Sequence, residues 1–324
     1  MKKTWIAACL AACALATLST AHAAYPEQPI RIVIGYAAGG TTDILASALA
    51  EQLGKTLKDS IIVENKPGAA GNIAATYVQQ AAPDGYTLFM ATVSSHGINP
   101  ALYKQKLGYD PRGGFEPVGM VASIPLVLIA NPKLPARNVA ELTALCKSKP
   151  GDMNYASSGN GSPVHLAGAM FAEEANVKIM HVPYRGGALA NTSVMTGETQ
   201  FSFATLPAAL PQVKSGTLHA LAVTTKERSS QLPDVPTVAE TPGFQNYDIN
   251  TWNALLAPKG TPPAIVEKLN AALKQAMTSP ELLRHFQSEG ADPKTSTPAE
   301  LKTFIDGELS KWAAVVKSVD IKID

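Results

Sequence analysis

Ile30-Arg31-Ile32-Val33-Ile34-Gly35, followed by Tyr36-Ala37-Ala38-Gly39-Gly40-Thr41-Thr42-Asp43, is the stretch that decides the fold. An apolar strand runs into a glycine turn, and the turn opens a helix. Ile44, Leu45, Ala48, Leu49 and Leu53 then recur at helical spacing, an apolar stripe on one face. The first amides of a helix have no intrahelical acceptor, and the helix dipole favours negative charge there. Glycine lets backbone approach a ligand closely. The stretch therefore reads as a βα unit whose turn is either an anion site or simply a tight βα connection.

Outward from it, the strand–helix alternation continues. Strands are predicted over 61–64, 86–91, 118–122, 126–130, 153–157, 178–182, 200–204, 218–223 and 252–257, with Pro125 separating two of the runs. Helices are predicted after Gly71-Asn72, after the capping residues Asn138-Val139-Ala140-Glu141, and after Pro163 with Leu166, Met170 and Phe171. Two more follow Pro262-Pro263 and the capping box Thr297-Pro298-Ala299-Glu300; the last is expected to bury Leu301, Phe304, Ile305, Trp312 and Val316. Thr92-Val93-Ser94-Ser95-His96 reads as a polar loop. The βαβ rhythm implies parallel strands with right-handed crossovers. Trp252 and Trp312 read as core anchors, Cys146 as a small buried group on an amphipathic helix, and His181 as a strand residue with no ligand role.

Ahead of this lies an export signal. Lys2 and Lys3 precede an apolar run over 5–18, and Ala21-His22-Ala23 is a small-x-small cleavage pattern, so the mature chain is expected to begin at Ala24 in the periplasm. Leu10-Ala11-Ala12-Cys13 is a competing lipoprotein box behind a very short apolar stretch. The chain has 324 residues, 46% of them hydrophobic, enough for about two domains. Loss of Lys2 and Lys3 leaves 25 basic against 26 acidic residues with no charge block, which argues against nucleic acid and anionic membrane surfaces. Cys146 is the one cysteine left after cleavage, so no internal disulfide can form. No metal site and no cofactor are expected.

Ser158-Gly159-Asn160-Gly161-Ser162-Pro163 forms a second glycine turn between strand and helix. Neither turn is a P-loop or a dinucleotide fingerprint, because no Gly-Lys-Ser/Thr follows and the glycine spacing is wrong. One turn sits in each half of the chain, so two helix N-termini could converge on one cleft at the carboxyl ends of strands.

The chain resembles the Bug-type periplasmic receptors, the substrate-binding component of tripartite tricarboxylate transporters. The resemblance spans the mature chain. It is carried by Gly39-Gly40-x-x-Asp43, Glu64-Asn65-Lys66-Pro67-Gly68-Ala69-x-Gly71, Pro83-Asp84-Gly85-Tyr86-Thr87-Leu88, Asn99-Pro100-x-Leu102-Tyr103, Pro183-Tyr184-Arg185-Gly186, Leu232-Pro233-Asp234-Val235-Pro236-Thr237 and Pro258-x-Gly260-Thr261-Pro262. Gly114, Thr192-Ser193 and Gln200 depart from the family pattern, away from the glycine turns.

The resemblance implies a two-domain α/β clamp, each domain a mostly parallel sheet flanked by helices. Domain 1 would be 24–125 with 225–324, and domain 2 126–224, hinged at Pro125-Leu126 and over 221–224. It implies a small organic carboxylate held by backbone groups, hydroxyls and water, delivery to the transporter's membrane subunits, and a monomer. Carried onto this sequence, the implied ligand-binding residues are Tyr36, Ala38, Gly39, Gly40, Thr41 and Asp43 in the first turn, and Asn160, Gly161, Ser162 and His165 in the second. Ser94 and Ser95, Arg185 and Gly186, and Thr205 complete the set. No catalytic residue is implied.

Other roles compete for these residues. Asp43 could instead stabilise its own helix N-terminus. Arg185 could clamp a carboxylate or tie its turn. His165 could donate into the cleft or be structural. Ser162 and His165, three apart, could form a nucleophile and base in an exported hydrolase, although no elbow motif or orienting acid accompanies them. A sensor for a signalling partner is a third possibility. The ligand's identity is not legible; the lack of a clearly placed second cation favours a neutral or solvated far end.

Overall fold

The computed structural model describes residues 25–318. The export signal, its cleavage point and Cys13 lie outside those residues. In chain order the elements are β1 (Ile30–Ile34), α1 (Thr41–Leu57), β2 (Ile61–Asn65), α2 (Asn72–Gln79), β3 (Thr87–Thr92), α3 (Asn99–Tyr103), β4 (Phe115–Ala130), α4 (Val139–Ser148), β5 (Asn154–Ser157) and α5 (Pro163–Ala175). They continue with β6 (Met180–Pro183), α6 (Gly187–Thr196), β7 (Phe201–Thr205), α7 (Leu206–Lys214), β8 (His219–Val223), β9 (Asn250–Pro258), α8 (Pro263–Ala276), α9 (Pro280–Ser288), β10 (Asp292–Pro293) and α10 (Pro298–Ser318).

The strands order as β2-β1-β3-β9-β4-β7-β5-β6, with β8 and β10 also on β4. β2-β1-β3 and β7-β5-β6 are parallel sets. β9 is antiparallel to β3 and β4, and β4 is antiparallel to β7 and β8. The mostly parallel expectation holds within each set, and the antiparallel pairs lie at the centre. β4 carries the chain from one parallel set to the other and β9 carries it back, so they must run in opposite directions.

The two apolar runs around Pro125 are one strand of 16 residues. Its partner changes from β9 to β7 and β8 at that point: Pro125 pairs with Asn250 and Leu126 with Thr205. A missing N–H is tolerated best where a ladder is interrupted. The next amide, Leu126, donates to Thr224 Oγ1 at 3.1 Å. Thr224 is fully buried and also donates from its hydroxyl to Ile249 O at 2.6 Å. One threonine at the end of β8 therefore ties together the two places where the chain crosses this waist, Leu126 and Ile249.

Helices cover both faces. On the first set, Leu45, Leu49 and Leu53 of α1 pack with Leu269 and Leu273 of α8 and Phe286 of α9 over Ile32, Leu88 and Leu255. On the second set, Val194 of α6 and Leu206 and Leu210 of α7 cover Val127, Ile129 and Val223. The opposite face is one continuous core through both sets, from Phe89 and Phe115 to Phe171, Phe201, Phe203 and Tyr247. Trp252 and Trp312 are fully buried in it, and Cys146 is buried with them. Phe304 departs from expectation: it stays 37% exposed, its ring edge-on to Trp252 at 5.3 Å.

Residues 225–249, read from the sequence with the first half, pack against the second. Phe244 stacks on Phe171 at 5.5 Å, Tyr247 OH donates to Ala167 O at 2.7 Å, and Val223 N donates to Pro236 O at 2.9 Å. The chain returns to the first set only at β9.

Candidate functional site

Strand register sets the location. Thr92 ends β3 opposite Asn253, which itself pairs with Ala122, and Thr205 ends β7 opposite Leu126. The carboxyl ends of both parallel sets thus point at the waist from opposite sides, and the turns that follow them meet there. Thr41 Oγ1 and Thr205 Oγ1 are 3.0 Å apart, bridging residues 164 positions distant. Each stands at a helix start: Thr41 is the first residue of α1 and Thr205 caps α7.

The first turn keeps its donors. Gly39 has φ +78°, a conformation that suits glycine, whereas Gly40 is extended at φ −85°. Asp43 faces inward: Oδ2 accepts from Gly39 N at 2.8 Å and Oδ1 from Asn65 Nδ2 at 2.9 Å. Asn65 Nδ2 also donates to Tyr36 O at 3.1 Å. Asp43 therefore shapes the turn, with Asn65 as a second brace that sequence reading missed. The amides of Gly40, Thr41, Thr42 and Asp43 meet no acceptor among the described residues; the first that does is Ile44, on Gly40 O at 3.0 Å. Ala38 and Gly39 are exposed beside them.

The turn after β3 corrects the polar-loop expectation. Ser94–Ile98 forms a π-helical turn and is buried throughout. The apolar neighbours Val93 and Ile98 hold it in the core, and Gly97 lies where a Cβ would come within 2.6 Å of Trp312. Ser95 Oγ accepts from Thr92 N at 3.2 Å, donates to Thr92 O at 3.1 Å and lies 3.0 Å from His96 Nδ1, so its hydroxyl is fully used inside the turn. Ser94 neighbours the Tyr36 phenol, whose oxygen is 3.3 Å from Thr92 Oγ1. Burial pushes the Tyr36 phenol up. His96 sits among Phe89, Tyr109 and Phe115, and burial pushes its imidazole down to about 3.

The second turn uses up its donors. Gly161 N donates to His165 Nδ1, Ser162 N to Gly159 O and His165 N to Ser162 Oγ, each at 3.2 Å. Pro163 has no N–H, which leaves Val164 as the free amide of that first helical turn among the described residues. The two turns are therefore not equivalent as anion sites. Gly161 has φ +74° and abuts the first half: a Cβ there would be 2.9 Å from Leu102 Cδ1 and 3.4 Å from Asn99 Oδ1, a buried oxygen without a partner. Asn160 is exposed.

The hydrolase arrangement is absent. Ser162 Oγ caps α5 through the His165 amide, while the imidazole bonds Gly161. Arg185 is exposed and makes no hydrogen bond or ion pair among the described residues, so it does not tie its turn as one expectation held. Gly186, at φ +115°, leaves open space before α6. His181 lies on β6, a strand residue as expected, and its ring stacks on His165 at 3.8 Å.

Residues 45–321 match the family described as the tripartite tricarboxylate transporter family receptor. The chain belongs to that family. Protein BugT of Bordetella pertussis is 34% identical over 92% of this chain and 91% of its own. The solved structure of Rpa4515 from R. palustris, with adipate, is 32% identical over 92% of this chain and 99% of that one, with a TM-score of 0.88. MatC from Rhodopseudomonas palustris, with bound malate, is 31% identical over 90% and 100%, with a TM-score of 0.84. This receptor thus shares the periplasmic-binding-protein architecture and belongs among solute receptors rather than enzymes. Among its described residues no helix is long and apolar enough to cross a membrane.

Proposed function

We propose that this receptor is exported to the periplasm by cleavage after Ala23, captures a small organic carboxylate at the waist, and delivers it as a monomer to the membrane subunits of a tripartite tricarboxylate transporter. The observation that carries the reading is the row of free amides from Gly40 to Asp43, facing Thr205 across the waist. A carboxylate seated there would replace the Thr41–Thr205 contact, accepting from both hydroxyls and from the α1 amides. Charge-assisted bonds of this kind contribute roughly 1.5–3 kcal/mol each. Ser94, the Tyr36 phenol, the Val164 amide and His165 Nε2–H complete the lining, and Arg185 with Gly186 forms the rim. Adipate and malate in related structures support the ligand class.

The moving bodies in this reading are 25–125 with 250–318, and 126–249, hinged at Pro125-Leu126, Thr224 and Ile249-Asn250. The packing of 225–249 on the second strand set supports that division over one ending at 224. The test is a thermal-shift screen of the mature protein over an organic-acid library that includes adipate and malate. A concentration-dependent rise in Tm with at least one acid is expected. No response to any acid would overturn the carboxylate reading.

A further inference from the structure

We propose that His165 and His181 are a paired positioning element: two neutral, stacked imidazoles that hold the second turn in its working shape, which is released when His165 takes up a proton. The consequence for ligand capture rests on the receptor reading above; the geometry stands without it.

The rings are nearly parallel, 6° apart in plane with centroids 3.8 Å apart. Each grips one end of the turn. Gly161 N donates to His165 Nδ1, so that nitrogen must present a lone pair and the ring proton sits on Nε2. His181 Nε2 is 2.6 Å from Ser157 Oγ; that hydroxyl donates to Gly159 O at 3.2 Å and accepts from Gly159 N at 3.1 Å, so His181 Nε2–H is the donor to it. Tyr155 on β5 extends the stack, its ring 5.0 Å from that of His181 and its hydroxyl donating to His165 O at 3.1 Å. The turn between β5 and α5 is therefore held through side chains from β5, β6 and α5 together.

Protonation undoes this in two ways. A proton on His165 Nδ1 would face the Gly161 N–H, donor against donor. A charge on one ring is also opposed by burial and raises the cost of charging its neighbour. The surroundings offer no compensation. Tyr155 is the titratable group facing the pair from β5, and β7 presents none. Glu173 and Glu174 lie roughly two turns further along α5, and Tyr184 and Arg185 belong to the turn after β6. Burial holds His165 down at about 4 and His181 at about 3, the second also through the charge His165 would carry.

The test is NMR on the ligand-free mature protein, following histidine ring protons and the Gly159 and Gly161 amides from about pH 8 to about pH 3. The ring and amide signals are expected to move together, below about pH 5. In His181→Ala the His165 midpoint should rise by about one pH unit or more, and Gly161 amide exchange should quicken about tenfold, one hydrogen bond's worth. His181→Phe keeps a flat ring over His165, so it should leave Gly161 protected and loosen Gly159. Gly161 amide signals that ignore the His165 titration in the wild type would overturn the proposal even where a variant fails to fold. Unchanged exchange in a folded His181→Ala would overturn it too. Because the titration needs no ligand, it tests the pair even in a receptor that refuses every acid.

Discussion

At the scale of single residues, the neighbouring glycines of the first turn have different jobs. Gly39 needs a left-handed backbone, and a side chain there costs roughly 1–2 kcal/mol. Gly40 does not, and a Cβ on it would lie 3.4 Å from Ala37 O. Gly39→Ala is therefore expected to lower the urea midpoint, while Gly40→Ala keeps it and shows its effect, if any, in ligand affinity. Asp43 bonds Gly39 and Asn65, and its role at the helix start was legible from position alone; Asn65, which arrives from β2, was not. Glu308 is a second case. Its Oε2 accepts from both Trp252 Nε1 at 2.8 Å and Trp312 Nε1 at 2.9 Å. Glu308→Ala leaves two buried indole donors bare and should cost about 2–4 kcal/mol in chemical denaturation. The four-residue step from Glu308 to Trp312 was readable as a helical pair; the contact with Trp252 was not. The buried imidazoles of His96 and His165 and the half-buried one of His181 add an acid weakness. Each is held below its ordinary 6.5, so the unfolded chain binds more protons as the pH falls. Their contribution is whole above pH 6.5 and drains between there and about 3–4, at up to about 1.4 kcal/mol per pH unit for each histidine. Urea midpoints measured across that range check the slope.

At the scale of elements, the strand–helix units with strong period and clear punctuation were legible: α1 with its Leu stripe, α5 behind Pro163, α10 behind its capping box. α9 was missed, although Ser279 accepts from Leu282 N and Pro280 starts the helix. Nine residues give too short a stripe to stand out from the proline-rich surroundings. The direction of β9 was not legible either, because periodicity reports which face is buried and not which neighbour is beside it. Both glycine turns were found, yet their inequivalence was hidden: it depends on where His165 turns its ring. Thr224 is the element-scale junction most open to test. Thr224→Val keeps the shape, strands the Leu126 amide and frees Ile249 O, and should cost about 2 kcal/mol by denaturant titration.

At the scale of the whole molecule, the waist is crossed twice, along β4 and at the start of β9, and touched by turns from both sides. Such an arrangement permits hinge closure about a few backbone positions. A bound acid should therefore shift small-angle scattering toward a smaller radius of gyration, and an unchanged profile at saturation would mean a rigid site. The family was legible because motifs spread over most of the chain agree. Which acid fits was not, because the proposed lining of neutral hydroxyls and amides would discriminate through cavity shape.

The place of β9 between β3 and β4 has one more consequence, for the order in which the molecule can come into being. As synthesis proceeds from the N-terminus, β3 and β4 are complete by residue 130, yet the strand that joins them begins at Asn250. Until it arrives, an edge of each stands bare, and bare edges recruit other chains. The nascent receptor therefore depends on a late segment to close an early one, and chains cut short before Asn250 should aggregate rather than persist as a folded half.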